Sequence, residues 1–412
     1  MKILQVNCVY NTGSTGKIVK DLHEGYQKKA VESIVCYGRG EDFMYYGEHI
    51  YKSCREIYSD IQHAKARLSG IMYGGCKLST NALINIIEKE DPNIVHLHCI
   101  NGFFVNIYSL LEWLKSNNIP TVLTLHAEFM FTGGCGYALD CEKWKNAPGC
   151  GSCPQLKQQT ETIFFDRTRL MWKLMGKAFQ NFDNLIVVSV SPWLMNRAKK
   201  SSILMQKTHR TVYNGLDTSI FHSYHNGHRL KEELRIATQK KVVFHATAQF
   251  SANPNHMKGG YYILQLAARR PELQFVIAGS HSITGEIPDN VLLLGKVQNQ
   301  NRLAELYSMA DVTVITSQRE TYSMICAESL SCGTPIVGFF AGGPESISIG
   351  EYSRFVQYGD IESLSTAIDE VFKNNWDNSI IERKASNLYS IDRMVESYLN
   401  VYDELVGGKG HQ

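Results

Sequence analysis

DVTVITSQRETYSMICAESLSCGTPIVGFFAGGPE, residues 311–345, is the stretch whose reading decides the fold. Val312, Val314 and Ile315 form a short β-branched run, the mark of a buried strand. A polar turn follows, Ser317-Gln318-Arg319-Glu320. Residues 324–331 then read as a helix with Ile325, Glu328 and Ser329 on one face. Cys332-Gly333 stops it, and residues 334–338 begin the next strand. Two carboxylates stand in this unit: Glu320 precedes the helix and Glu328 lies on it, with seven residues between them. Such a unit puts Glu320 and the first helical N–H groups at the carboxyl end of a parallel strand, where open α/β sheets bind ligands.

The spacing, the CGTPIV stop and Gly342-Gly343-Pro344-Glu345 beyond it resemble the E-x7-E signature of retaining glycosyltransferases of family four, which have the GT-B fold. The resemblance implies an α/β chain of two doubly wound, Rossmann-like domains facing each other across a cleft. It implies a retaining hexosyltransferase that uses a UDP- or GDP-linked sugar and needs no cofactor for catalysis. A GT-B epimerase or phosphorylase, or an inactive nucleotide-sugar-binding module, are the rival readings.

At 412 residues two domains are the natural division. Hydrophobic content of 44% and charged content of 20% describe a globular chain. A net charge of +2 argues against a dedicated nucleic-acid binder. The first 200 residues carry 23 basic against 18 acidic side chains. That bias is compatible with a surface visiting anionic lipid or with a plain solvated face. MKILQVN enters a strand at once, and no apolar run reaches membrane-spanning length. The expectation is a cytoplasmic protein, peripheral at the inner face of the membrane, with its 11 cysteines reduced.

In the first half, residues 2–8 read as a strand and residues 17–28 as a helix. The turn between them, Asn11-Thr12-Gly13-Ser14-Thr15-Gly16, misses the P-loop pattern, because Asn11 and Ile18 stand at its defining ends. It is either a plain tight turn or, as the resemblance implies, a loop whose Gly13 approaches the donor phosphates. Residues 55–72 form a helix whose stripe of Ile57, Ile61, Ala64 and Leu68 is expected to pack on the core rather than on a membrane. DPNIVHLH, residues 91–98, resembles a conserved strand of the family and ends at His98. The strand at 120–125 ends at His126, which the resemblance places by the donor sugar. The family often has Asp next. Here His126-Ala127-Glu128 leaves open whether Glu128 replaces it.

Residues 131–154 are a cysteine-rich insertion with Cys135, Cys141, Cys150 and Cys153 spaced C-x5-C-x8-C-x2-C. Four close thiols suit a structural zinc that staples a polar, Gly-rich loop. The alternatives are an iron–sulfur cluster or unliganded thiols. The cysteines, with Thr132-Gly133 and Tyr137, resemble a subgroup of polysaccharide-assembly transferases acting in capsule, O-antigen or colanic-acid-like synthesis. That likeness implies a saccharide acceptor, lipid-linked. Residues 164–180 make a helix whose Arg167, Arg169, Lys173 and Lys177 face either anionic lipid or solvent.

Residues 210–217 resemble the family's hinge, with Asn214-Gly215 and Asp217. The expected division is 1–213, 214–390 and a final helix with tail, 391–412, crossing back to the first domain and disordered from Gly407. Lys258 sits at a loop-to-helix junction and matches a lysine that neutralises the leaving diphosphate. The family's partner arginine is missing, with Gln249 about where it belongs, so Arg319 and helix-terminal N–H groups are expected to assist. The resemblance further implies that Glu320 orients the donor sugar. Glu328 would bind the ribose diol, and Ser323 and Met324 would offer backbone N–H groups.

Overall fold

A computed structural model describes residues 1–40, 47–283 and 285–407. The tail expected to be disordered lies beyond these, apart from Gly407. The chain divides into two units, Met1–Val212 with Met394–Gln412, and Tyr213–Arg393.

The first unit runs β1 (Lys2–Asn7), α1 (Gly13–Lys28), β2 (Glu32–Tyr37), β3 (Ile50–Lys52), α2 (Glu56–Ser69), α3 (Lys77–Glu90), β4 (Ile94–Leu97), α4 (Ile107–Ser116), β5 (Thr121–Leu125), α5 (Thr168–Phe179), β6 (Leu185–Ser189), α6 (Pro192–Lys199) and β7 (Thr208–Thr211). Its sheet is parallel throughout, in the order β3-β2-β1-β4-β5-β6-β7. The order reverses between β1 and β4, the place where doubly wound sheets open a crevice. β4, β5 and β6 are buried at every position, as strands covered on both faces must be. Ser191 caps α6 by accepting from the Leu194 N–H at 3.2 Å, with Pro192 in the first turn.

The second unit runs α7 (Gly227–Glu233), β8 (Val242–Phe250), α8 (Gly260–Arg269), β9 (Gln274–His281), β10 (Val291–Leu293), α9 (Gln300–Met309), β11 (Val312–Ile315), α10 (Met324–Ser331), β12 (Ile336–Phe339), α11 (Gly343–Ile347), β13 (Ser353–Val356), α12 (Ile361–Lys373) and α13 (Asn378–Tyr389). Its parallel sheet has the order β10-β9-β8-β11-β12-β13, reversing between β8 and β11. Val243, Phe275, Val314 and Phe339 of the sheet pack with Ile263 and Leu266 of α8 and with Leu364 and Ile368 of α12. A last helix, α14 (Ile391–Gly407), returns the chain to the first unit. There Tyr402 hydroxyl meets Tyr26 at 2.9 Å and His96 Nδ1 at 2.6 Å, while Tyr398 meets Thr124 at 3.0 Å. These side chains pin α14 to α1, β4 and β5.

Several local expectations need correction. α1 begins at Gly13 rather than residue 17, so the glycine turn is the helix start. Residues 222–235 are polar enough to read as a linker, yet they contain α7. α5 starts only at Thr168, leaving Phe164 and Phe165 in an irregular segment. On α10, Ser329 is buried while Ile325 and Glu328 are half-buried. The largest reversal is α2: Ile57, Ile61, Ala64 and Leu68 all face solvent, and the helix buries Ser59 and Ala66 instead.

Candidate functional site

The two loops that flank the reversal of the second sheet carry the acidic and basic candidates. After β8, residues 251–259 lead into α8. After β11, residues 316–323 lead into α10. Gly259 has φ +67°, and a Cβ there would lie 2.1 Å from the Thr316 carbonyl oxygen. Only glycine lets these loops approach so closely. The approach is sealed by Gln318 N–H donating to Met257 O at 2.8 Å and Thr316 Oγ1 donating to Lys258 O at 3.2 Å.

That contact brings Lys258 Nζ to 2.6 Å from Glu320 Oε1. The lysine side chain is 37% exposed and the carboxylate 14%. An ion pair this open contributes about 1 kcal/mol or less to stability, so it is a poor structural staple. Glu320 is held by its backbone: its N–H donates to Ala341 O at 3.0 Å, and its carbonyl accepts from Gly343 N–H at 2.8 Å. Glu345 in turn accepts from the N–H groups of Ala341 at 3.1 Å and Gly342 at 2.6 Å. The GGPE turn therefore braces the segment that carries Glu320.

α10 begins directly after this segment. Ser323 caps it through Oγ, which accepts from Cys326 N–H at 3.3 Å. Met324, Ile325 and Glu328 make its less buried side. Glu328 Oε2 accepts from the Tyr307 hydroxyl at 2.9 Å, and burial, followed by this carboxylate, raises the Tyr307 pKa well above the usual phenol range. Tyr322 donates to the Asn214 carbonyl at 3.1 Å, which ties buried Asn214 to the start of α10. Arg319 is half-buried in the same loop. The second unit thus gathers Lys258, Arg319, Glu320, Ser323, Met324, Glu328 and Asn214 around one sheet reversal.

Gly13 and His126 belong to the first unit. Gly13 follows β1 with φ +62° and open space around it. His126 follows β5 and stands 3.3 Å from His98 Nδ1 through its Nε2. Burial pushes its pKa down to about 4, and burial likewise holds His96 and His98 well below the ordinary histidine value. All three are neutral imidazoles near pH 7. Glu128 is no substitute for a cleft carboxylate. It is wholly buried, pairs with Arg197 Nε, and accepts from Ala138 N–H at 2.5 Å.

Arg197 in turn lies over the rings of Trp144 and Trp193, at 4.9 and 5.0 Å. The cysteine-rich insertion, polar and Gly-rich as it is, is therefore braced by protein side chains. Trp144 is fully buried, and Trp172 Nε1 donates to its carbonyl at 2.9 Å. Cys135, Cys141, Cys150 and Cys153 are free thiols that line one tight cavity with Trp144. The neighbouring Cys135 thiol draws the Cys153 thiol below its ordinary range. Among the described residues no group of three or more His, Cys, Asp or Glu side chains already stands in metal-holding geometry.

Three supports of these candidates carry no role in the sequence reading: Tyr307, Tyr322 and the bracing by Glu345. Glu345 was visible within the GGPE motif, but its carboxylate role was not. The tyrosines carry no local signal, since their partners lie 21 and 108 positions away.

Comparison with known proteins agrees with this geometry. Residues 221–387 match the family described as Glycosyl transferases group 1. Over 98% of this chain and all of the relative, the sequence is 22% identical to an Escherichia coli K12 protein provisionally named colanic acid biosynthesis glycosyl transferase WcaC. In structure it resembles sucrose-phosphate synthase of Thermosynechococcus elongatus, with TM-score 0.70 and 16% identity over 99% of this chain and 100% of that one. It also resembles Anabaena HepE in complex with UDP-glucose, with TM-score 0.62 and 14% identity over 98% and 100%. The chain has the GT-B fold of these neighbours, and its match to the glycosyl transferases group 1 family lies within the second unit.

Proposed function

We propose that the chain is a retaining hexosyltransferase. It would move a sugar from a nucleoside-diphosphate sugar to a lipid-linked saccharide in the assembly of a surface polysaccharide such as capsule, O-antigen or exopolysaccharide. The Lys258–Glu320 pair at the sheet reversal carries this reading. It offers an ammonium beside the N-terminus of α10, where a diphosphate is favoured by charge and by free N–H groups. The relative named for colanic acid synthesis and the neighbour solved with UDP-glucose support the donor class and the pathway type.

In this mechanism the diphosphate takes over the ammonium that Glu320 holds, with Arg319 adding charge. The freed Glu320 carboxylate accepts from sugar hydroxyls. Glu328, oriented by Tyr307, accepts both hydroxyls of the ribose. The bond from the anomeric carbon to the diphosphate oxygen breaks, and the acceptor hydroxyl bonds to that carbon on the same face. Its proton passes to the departing phosphate. His126 serves the transfer step as a neutral imidazole. Gly13 keeps the first unit's strand-to-helix turn open for a phosphate.

A melting-temperature screen against UDP- and GDP-sugars tests the donor assignment, since a ligand at 100 times its Kd stabilises by about 2.7 kcal/mol. The expected result is a rise with one donor that Lys258→Ala abolishes. Unchanged melting with every donor overturns it.

A further inference from the structure

Of fourteen large apolar side chains exposed among the described residues, eight lie in one region of the first unit: Ile57, Ile61, Leu68, Leu78, Ile163, Phe164, Phe165 and Leu170. Lone exposed apolar residues are ordinary, but a contiguous set is not. Ile57, Ile61, Ala64 and Leu68 recur at helical spacing and form a stripe along the outer side of α2. Ile57 is 76% exposed, Leu78 71% and Phe164 69%.

Hydrogen bonds show that the pieces adjoin. Ile163 N–H donates to Arg67 O at 2.9 Å, and Arg67 Nε donates to Glu161 O at 3.3 Å. Leu78 N–H donates to the Tyr58 hydroxyl at 3.3 Å, which sets the start of α3 beside α2. Arg167 lies over the Phe165 ring at 5.4 Å.

Charge decides what this surface meets. Arg55, Lys65, Arg67, Lys77, Lys157 and Arg167 surround the apolar residues and are exposed. The acids nearby are largely engaged. Glu56 and Asp60 are bound by Arg39 at 2.8 and 2.7 Å, and Glu161 faces Arg67 and His63. Isoleucine, leucine and a phenylalanine pair rimmed by lysine and arginine suit a bilayer interface carrying anionic headgroups. Lysine is depleted from protein–protein interfaces, which weighs against a protein partner.

We propose that the outer stripe of α2, with Leu78 and residues 163–165, is a membrane-docking surface for anionic bilayers. Its apolar side chains enter the headgroup boundary, and the surrounding cations hold the lipid phosphates. The proposal stands apart from the identity of the sugar moved and from the Lys258–Glu320 pair, which lies in the other unit.

Co-sedimentation with phosphatidylcholine vesicles, with and without phosphatidylglycerol, tests it. Wild-type protein should sediment with the anionic vesicles, and less as salt is raised. An Ile57→Asp/Ile61→Asp/Phe164→Asp variant should lose about tenfold or more of that partition. An Arg55→Glu/Lys65→Glu variant should lose binding to anionic vesicles and show a weaker salt effect. Both sets of residues are exposed, so melting temperature and donor-induced stabilisation should match wild type. The proposal falls if wild-type protein stays in the supernatant with both vesicles, or if the triple variant binds as well as wild type. It also falls if the wild type dimerises in solution while the triple variant does not, because the face then serves a second copy.

Discussion

At the scale of single residues, the pair that carries the proposed donor site is also one of the less buried. Lys258 and Glu320 touch at 2.6 Å, yet contribute little to the fold. Their separation in function from stability makes a clean prediction. Lys258→Ala should cost about 100-fold or more in kcat, the scale of losing one preorganised charge donor, with melting temperature nearly unchanged. Steady-state kinetics beside a melting curve checks both halves. Glu128 is the opposite case. Glu128→Gln leaves the Arg197 guanidinium without its buried partner, and removing one member of such a pair costs about 3 kcal/mol or more. Urea unfolding should show the loss. The Glu128 role was not legible in the sequence, because Arg197 lies 69 positions away and only folding brings them together. The Glu320 and Glu328 positions were legible because the chemistry of strand, turn and helix is local.

At the scale of elements, α10 has the bounds its pattern implies, Met324–Ser331, since Ser323 caps it and Cys332-Gly333 cannot extend it. α2 shows where such reading stops. Its stripe of isoleucine and leucine was plain, but periodicity names an apolar face without saying what covers it. The same distinction governs the loop before α8. Gly259→Ala adds a Cβ 2.1 Å from Thr316 O at a positive φ, so it should separate the two loops that hold Lys258 and Glu320. The expected result is a loss of donor-induced stabilisation together with a drop in stability of about 1 kcal/mol or more. For the insertion, we propose that rotation of the four thiols lining the Trp144 cavity closes them on one structural zinc. Metal analysis should find about one equivalent in purified protein, lost when Cys150 is replaced by serine. Protein without zinc at full stability would exclude this.

At the scale of the whole molecule, two parallel sheets each reverse strand order once, and the loops carrying Lys258 and Glu320 flank the reversal of the second. Strand–helix alternation along the chain made this architecture readable, because buried parallel strands announce themselves as short β-branched runs. The buried histidines of the first unit add a pH dependence. His96, His98 and His126 are held below their unfolded values by burial, His126 from 6.5 to about 4. The unfolded chain therefore binds more protons between these limits. Stability is fully present above about pH 6.5 and falls as pH drops toward 4, by up to about 1.4 kcal/mol per pH unit for each such histidine. Denaturant midpoints at pH 7.5 and 5 should show the fall, and His126→Gln should lessen it.

The most direct test of the central claim is the anomeric configuration of the product. With the donor found by the melting screen and a saccharide acceptor, proton NMR of the first-formed linkage should show the anomer of the donor. Glu320→Gln should slow that transfer by about 100-fold or more while nucleoside diphosphate still binds. An inverted linkage, or full transfer by the Glu320→Gln variant, would contradict the account.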